Sequence, residues 1–137
     1  MQIQPYLFFD GRCEEAIRFY EDAAGAELQT LLRHKDRPEP PPAGCVPAGS
    51  EDKVMHAAFR VGQAVVMASD GRCGGRPAFQ GFSLSLTLPS AADAEAVFAR
   101  LAEGGNVQMP ITKTCWSPCF GMLVDRFGLS WMVTAAG

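Results

Sequence analysis

Few side chains in this sequence have the chemistry of catalysis or metal binding. The chain has two histidines, and one of them, His56, lies in the strand-like run VMHAAF. A histidine in a strand can be a metal ligand, an acid or a base, or it can hydrogen-bond within a core or an interface. We therefore keep His56 as a candidate catalytic residue. His34 lies next to a proline-rich stretch and is expected to be solvated.

The five cysteines do not form a recognisable disulfide or zinc pattern. Their number is odd and no C-x-x-C pair occurs, which favours reduced thiols in the cytoplasm. Cys115 and Cys119 flank the tripeptide WSP. This spacing is compatible with two ordinary thiols beside a turn or with a metal or redox pair.

Hydroxyl groups alternate with leucines in FSLSLTL, the clearest strand pattern in the chain. Ser83, Ser85 and Thr87 would share one face of that strand. Such a face either meets water or lines a cavity, and we expect Ser83 and Ser85 to contact a ligand. No G-x-S-x-G motif surrounds them, so serine-based acyl transfer is not expected.

The elements that would position these residues occur twice in the same order. A strand, a helix and three more strands are predicted in residues 1–79 and again in residues 80–137. The helical patterns are CEEAIRFYEDAAG and AADAEAVFARLAEGG, in which apolar residues recur at helical spacing and glycine follows. The runs FRVGQAVVMAS and DRFGLSWMVTA also align, with Gly62 opposite Gly128. The sequence thus predicts an α+β fold of two βαβββ modules that pair around a concave space.

Composition excludes several classes of function. The chain has 137 residues, a net charge of −3 and 20% charged residues, which fits a globular protein of the cytoplasm. It has no Lys and Arg cluster for nucleic acid and no apolar run of membrane-spanning length. The N-terminus lacks the features of a signal peptide. Residues 35–52 are rich in proline and predict a long loop.

The duplicated pattern resembles a known superfamily. AIRFYEDAAGAE after the first strand and VDRFGLSWMV at the end are similar to the vicinal oxygen chelate superfamily, which contains glyoxalase I, bleomycin-resistance proteins and extradiol dioxygenases. PYLFFDGRCEEAIRFY, EDKVMHAAFRVGQAVVMASDG, FQGFSLSL and CFGMLVDRFGLSWMV resemble its PhnB-like branch. The resemblance covers nearly the whole chain apart from the proline-rich loop, and it implies a glyoxalase-like, cup-shaped sheet.

Members of that branch are often called 3-demethylubiquinone-9 3-methyltransferase-like. An S-adenosylmethionine site usually needs a glycine-rich turn between a parallel strand and a helix. DGRCGGR lies between predicted strands instead, so we regard the methyltransferase name as nominal.

In metal-using members of the superfamily, four His or Glu side chains from the first and last strand of each module hold a divalent cation. The resemblance places these positions at Pro5, at or next to Met67, at Ser83 or Phe82, and at Met132. None of these residues is a His, Asp or Glu, and a thioether is a poor ligand for hard cations. We therefore expect no metal site and no cofactor, and a cavity with an apolar wall.

Three functions remain open from the sequence. The first is binding of a small, partly apolar molecule in the cavity between the modules, without metal. Its expected contacts are Met67, Phe82, Ser83, Ser85, Trp116 and Met132. The second is a divalent-metal-dependent lyase or dioxygenase with a relocated site, built from His56 and an acid or thiol. The third is self-association alone, and a homodimer is expected because members of the superfamily commonly dimerise.

Overall fold

The chain folds into two units that have the same order of elements. The structure is a computed structural model and describes residues 1–36, 49, 51–71, 77–114 and 119–136. The two units are Met1–Pro77 and Ala78–Gly137. No helix in the described part of the chain combines the length and the apolar character that crossing a bilayer requires.

The first unit contains one helix and a four-stranded mixed sheet. Its elements are β1 (Tyr6–Phe8), α1 (Cys13–Ala24), β2 (Glu27–Arg33), β3 (Val54–Val61) and β4 (Ala64–Ser69), with a short 3-10 helix at His34–Asp36. The strands lie in the order β1-β4-β3-β2. Strand β1 is parallel to β4, and the other pairs are antiparallel.

The second unit repeats this arrangement. Its elements are β5 (Leu84–Leu88), α2 (Ala91–Leu101), β6 (Asn106–Thr112), β7 (Phe120–Val124) and β8 (Ser130–Ala135). The strand order is β5-β8-β7-β6, with β5 parallel to β8. Gly62 and Gly128, which the sequence aligns, both have a positive φ in the turn before the last strand of their unit. The predicted α+β fold of two βαβββ modules is confirmed.

The helices form where apolar spacing and terminal residues favour them. In α1 the apolar stripe buries Ile17 and Tyr20, and the Tyr20 ring stacks 6.0 Å from that of Phe59 on β3. Gly25 ends the helix in the left-handed region at φ 68°, as the sequence predicts. In α2 the Ser90 hydroxyl accepts a hydrogen bond from the backbone N–H of Asp93 and caps the first turn.

Two aspartates that the sequence assigns to turns are buried hydrogen-bond acceptors. The Asp70 carboxylate accepts from the backbone N–H of Cys13 at 2.7 Å and of Val54 at 2.6 Å. It therefore joins the start of α1 to the start of β3. Asp125 accepts three N–H groups around the β7–β8 turn. Both carboxylates support the fold.

The expectation that His34 is solvated is wrong. Both of its ring nitrogens are buried, and neither has a hydrogen-bond partner within the described residues. The backbone N–H of His34 donates to the carbonyl of Lys53 at 3.1 Å, which holds the 3-10 helix against the chain entering β3. Residues 37–48 and 50 of the proline-rich stretch lie outside the described residues.

Candidate functional site

One face of the first sheet lies opposite α1, and it carries the predicted contact Met67. Leu7, Ala57 and Ala68 point to the helix side and are almost completely buried. Because side chains alternate along a strand, Tyr6 and Met67 point to the opposite side, where they are paired across β1 and β4. We call this side the first helix-free face, and the residues of interest on it are Tyr6, Phe8, His56 and Met67.

The candidate catalytic histidine is part of an aromatic group on this face. The hydroxyl of Tyr6 lies 3.3 Å from Nδ1 of His56, and the two rings are 5.7 Å apart. The ring of Phe8 is 5.1 Å from that of Tyr6. Tyr6 is 37% exposed and Phe8 55% exposed, so this aromatic surface is accessible in part.

An open pocket lies at the start of β1. It has a volume of about 380 Å³ and is lined by Ile3, Gln4 and Pro5. The carbonyl of Pro5 accepts a hydrogen bond from the backbone N–H of Met67 at 3.0 Å, which fixes this segment against β4. The pocket thus directly precedes Tyr6 in the chain.

The second sheet has an equivalent face opposite α2. Trp131 and Val133 point to the helix side of β8 and are buried. Ser130, Met132 and Thr134 alternate with them and are half-buried on the other side. We call this side the second helix-free face, and its further residues are Ser83, Ser85, Met109 and Met122.

Methionine dominates the middle of the second helix-free face. Met132 is paired with Ser85 on β5 and with Met122 on β7. Met122 is in turn paired with Met109 on β6. Directly paired side chains on one face have Cβ atoms about 5 Å apart, so three thioethers and one hydroxyl form a continuous row.

Two serines add a polar point beside this row. The hydroxyl of Ser83 lies 2.6 Å from that of Ser130, and both residues are half-buried. Either oxygen can donate, so one hydroxyl proton remains for another acceptor. The predicted contacts Ser83, Ser85 and Met132 therefore lie on one face of the second unit.

Two other predicted contacts have different surroundings. Phe82 precedes β5, is 44% exposed and makes an edge contact with Phe79 at 6.3 Å. Trp116 lies outside the described residues, as does Cys115. The proposed pairing of Cys115 with Cys119 therefore stays a prediction.

The cysteine thiols inside the two units are not suited to nucleophilic chemistry. Cys13 and Cys119 are buried free thiols. Burial raises the pKa of Cys13 well above its ordinary value, and the nearby carboxylates of Asp70 and Glu14 raise it further. Burial also raises the pKa of Cys119. Because the thiolate is the reactive form, both thiols are expected to be unreactive in the folded protein.

The raised pKa of Cys13 gives a pH-dependent contribution to stability. The unfolded thiol ionises near pH 8.5, whereas the folded thiol stays protonated, so the contribution is complete below that pH and is lost above it. Between pH 8.5 and 10 we expect the free energy of unfolding to fall more steeply in the wild type than in Cys13→Ala, by up to about 1.4 kcal/mol per pH unit. Urea unfolding at several pH values measures both slopes. Equal slopes would contradict the assignment.

Comparison with known proteins decides the family. The model of the "Glyoxalase/Bleomycin resistance protein/Dioxygenase superfamily" matches residues 2–133. The chain belongs to this superfamily. A relative in the glyoxalase/bleomycin resistance superfamily, protein YjdN from Escherichia coli K12, is 31% identical over 138 residues, which cover 97% of this chain and 94% of YjdN.

Two solved structures are similar over nearly their whole lengths. Protein PA1353 from Pseudomonas aeruginosa is 43% identical with a TM-score of 0.83, and the match covers 98% of this chain and 97% of PA1353. A Bacillus cereus protein titled as a putative 3-demethylubiquinone-9 3-methyltransferase, PhnB protein, is 30% identical with a TM-score of 0.80, covering 99% and 100%. The predicted resemblance to the PhnB-like branch of the superfamily is confirmed.

The side chains at the positions that hold a cation in metal-using members of the superfamily do not fit that cation. Pro5 has no donor atom in its side chain, and Met67 and Met132 offer thioethers, whereas hard dications prefer imidazole and carboxylate. The hydroxyl of Ser83 already bonds to that of Ser130. Within the described ranges, no three His, Cys, Asp or Glu side chains form a group that could hold a metal ion.

The helix-free faces also contain residues that sequence reasoning did not select. The structure places Tyr6 rather than Pro5 in register with Met67, and it places Met122 and Met109 beside Met132. Alternation within each strand would have put these side chains on the correct face. Their pairing depends on the register between strands that are far apart in sequence, for which the sequence has no local signal.

Proposed function

We propose that this protein binds a small, partly apolar molecule through side chains of its helix-free faces, without a divalent metal ion. The observation that carries the proposal is the methionine row beside the serine pair on the second sheet. Three thioethers stand at the centre of a half-buried face, where a metal site would need imidazole or carboxylate.

Methionine suits recognition of apolar surface. Its side chain is unbranched and polarisable, so it adapts to the shape of a ligand and contacts aromatic rings favourably. The Ser83–Ser130 pair, at 2.6 Å, supplies a donor and acceptors that would orient a polar group of the same ligand. A molecule with an apolar body and one polar group matches both features.

Lyase and dioxygenase activities of the superfamily are less well supported. Both would need a metal site in another place, and His56 is the residue that the sequence offers for it. The Tyr6 hydroxyl already bonds to Nδ1 of His56, and no acid or thiol in the described ranges joins the pair to form a metal-binding group.

Ligand binding can be tested by thermal unfolding of protein treated with EDTA, in the presence of small aromatic compounds and bleomycin. At a concentration of 100 times Kd, a ligand stabilises the folded state by about 2.7 kcal/mol, which raises Tm by several degrees. We expect at least one compound to do so. We expect Met132→Lys, which places a charge in the methionine row, to weaken that binding at least about ten-fold, and Ala99→Lys on the exposed side of α2 to leave it unchanged.

Two results would contradict the proposal. One is that no compound raises Tm. The other is that purified protein contains a stoichiometric divalent metal whose removal abolishes binding, with the metal lost in His56→Ala. The expected homodimer and cytoplasmic location stay predictions, and the mass in solution tests the first of them.

A further inference from the structure

We propose that Tyr6 and His56 form the polar end of a binding site for a planar aromatic molecule that carries a hydrogen-bond acceptor, such as an aryl ketone. The inference rests on the proposed binding function. It adds the chemical class of the ligand and the atom that recognises it, Nε2–H of His56.

The first step is the position of the proton in the Tyr6–His56 pair. The hydroxyl oxygen and Nδ1 are 3.3 Å apart, so either group could donate. A phenol is a much stronger acid than neutral imidazole, and the unprotonated imidazole nitrogen is a better acceptor than a phenol oxygen. The Tyr6 hydroxyl therefore donates to Nδ1, and the ring proton of neutral His56 is on Nε2.

The second step concerns what Nε2–H can reach. Nε2 of His56 is not among the buried side-chain atoms that lack a partner, so it is accessible. Within the described ranges, the hydrogen bond of the His56 side chain is the one to Tyr6. Nε2–H is thus available to a ligand, and this tautomer leaves no free lone pair on the ring for a metal ion.

The third step is the surface around this donor. Tyr6 and Phe8 present their rings on the same face, with centroids 5.1 Å apart, and both are partly exposed. The thioether of Met67 is paired with Tyr6 on β4. Aromatic rings and a thioether favour a planar aromatic partner. The pocket of about 380 Å³ at Ile3, Gln4 and Pro5 is within the range of small-molecule sites and directly precedes this surface in the chain.

The tautomer of His56 can be measured by long-range ¹H–¹⁵N NMR at pH 8, where the ring is neutral. The chain has two histidines, so the spectrum of His56→Phe assigns the signals. We expect a protonated Nε2 and an unprotonated Nδ1 in the wild type, and a mixture of tautomers in Tyr6→Phe. A protonated Nδ1 in the wild type would overturn the inference, whatever the protein binds.

Ligand class can be measured with two probes of nearly equal size, acetophenone and ethylbenzene, by NMR titration. We expect the wild type to bind acetophenone at least ten-fold more tightly than ethylbenzene. In His56→Phe this preference should fall to less than two-fold while ethylbenzene binding is retained, and Ala99→Lys should behave as the wild type.

The outcomes separate this inference from the proposed function. If both probes bind equally to the wild type, the assignment of His56 is wrong and apolar binding stands. If neither probe binds, while other aromatic compounds raise Tm and Met132→Lys abolishes that effect, the aromatic site at Tyr6 is wrong and the proposed function stands. If no compound binds by either method, both are wrong.

Discussion

Replacing Asp125 with alanine is expected to lower the free energy of unfolding by about 3 to 5 kcal/mol. Oδ1 of Asp125 accepts from the backbone N–H of Phe127 at 2.8 Å and of Leu129 at 3.1 Å. Oδ2 accepts from the indole N–H of Trp131 at 2.9 Å. Asp125 is 3% exposed, so alanine would leave these donors without a partner in a place that water does not reach.

The asparagine variant separates the two carboxylate oxygens. Asp125→Asn keeps an acceptor for the two backbone N–H groups but turns an amide NH₂ toward the indole N–H. We expect a loss of about 1 to 2 kcal/mol, smaller than that of alanine. In the Trp131→Phe background the opposing indole donor is absent, so the same change should cost less. A double-mutant cycle measured by urea unfolding gives this coupling.

An exposed aspartate of the same unit provides the control. Asp93 lies in the first turn of α2 and is exposed, so Asp93→Ala should cost less than about 1 kcal/mol. If Asp125→Ala cost no more than Asp93→Ala, the turn would not depend on the buried carboxylate. A variant that does not fold at all would agree with the expectation, and Asp125→Asn then supplies the measurable value.

Most of the fold follows from local sequence patterns. Alternation in LSLTL and SWMVTA predicts strands, and the apolar spacing in the two helical segments predicts α1 and α2 with their correct ends. Glycines at Gly25, Gly62 and Gly128 have the positive φ that their turns require. These signals depend on a few neighbouring residues, so they can be recognised without knowledge of the tertiary structure.

The site was less predictable because it depends on pairing between distant strands. The sequence identified Met132 and Ser85 through alternation, but not Met122, which lies next to Met132 only because of the β7–β8 register. The contact between Tyr6 and His56 joins residues fifty positions apart. The burial of His34 likewise follows from its backbone bond to Lys53, which no periodicity predicts.

The buried carboxylates clarify why the candidate site lacks strong acids. Asp70 and Asp125 are both almost fully buried, and the hydrogen bonds that the structure gives them come from N–H groups of the fold. They are held where they support turns and helix starts. The helix-free faces are left with thioethers, hydroxyls, aromatic rings and one histidine, a set that can recognise a molecule but offers few groups for acid–base chemistry.

Gly105→Ala is expected to lower the free energy of unfolding by more than about 3 kcal/mol, because the new methyl group would meet backbone atoms. A Cβ at this position would overlap the carbonyl oxygen of Val124 and lie 2.9 Å from both Cα and the carbonyl carbon of Asp125. Val124 ends β7 and pairs with Asn106 at the start of β6. Relief of the clash would therefore have to displace the strand end that carries the buried carboxylate.

Gly104→Ala is the matched control, because the same change one residue earlier removes the same freedom from the unfolded chain. Gly104 has φ 75°, so alanine would be strained there by about 1 to 2 kcal/mol. Its Cβ would meet the side chain of Arg126 at 3.2 Å, and that side chain is exposed and can move. Urea unfolding of both variants should show the larger loss for Gly105→Ala. An equal or larger loss for Gly104→Ala would mean that backbone conformation, rather than the close approach to β7, requires the glycine pair.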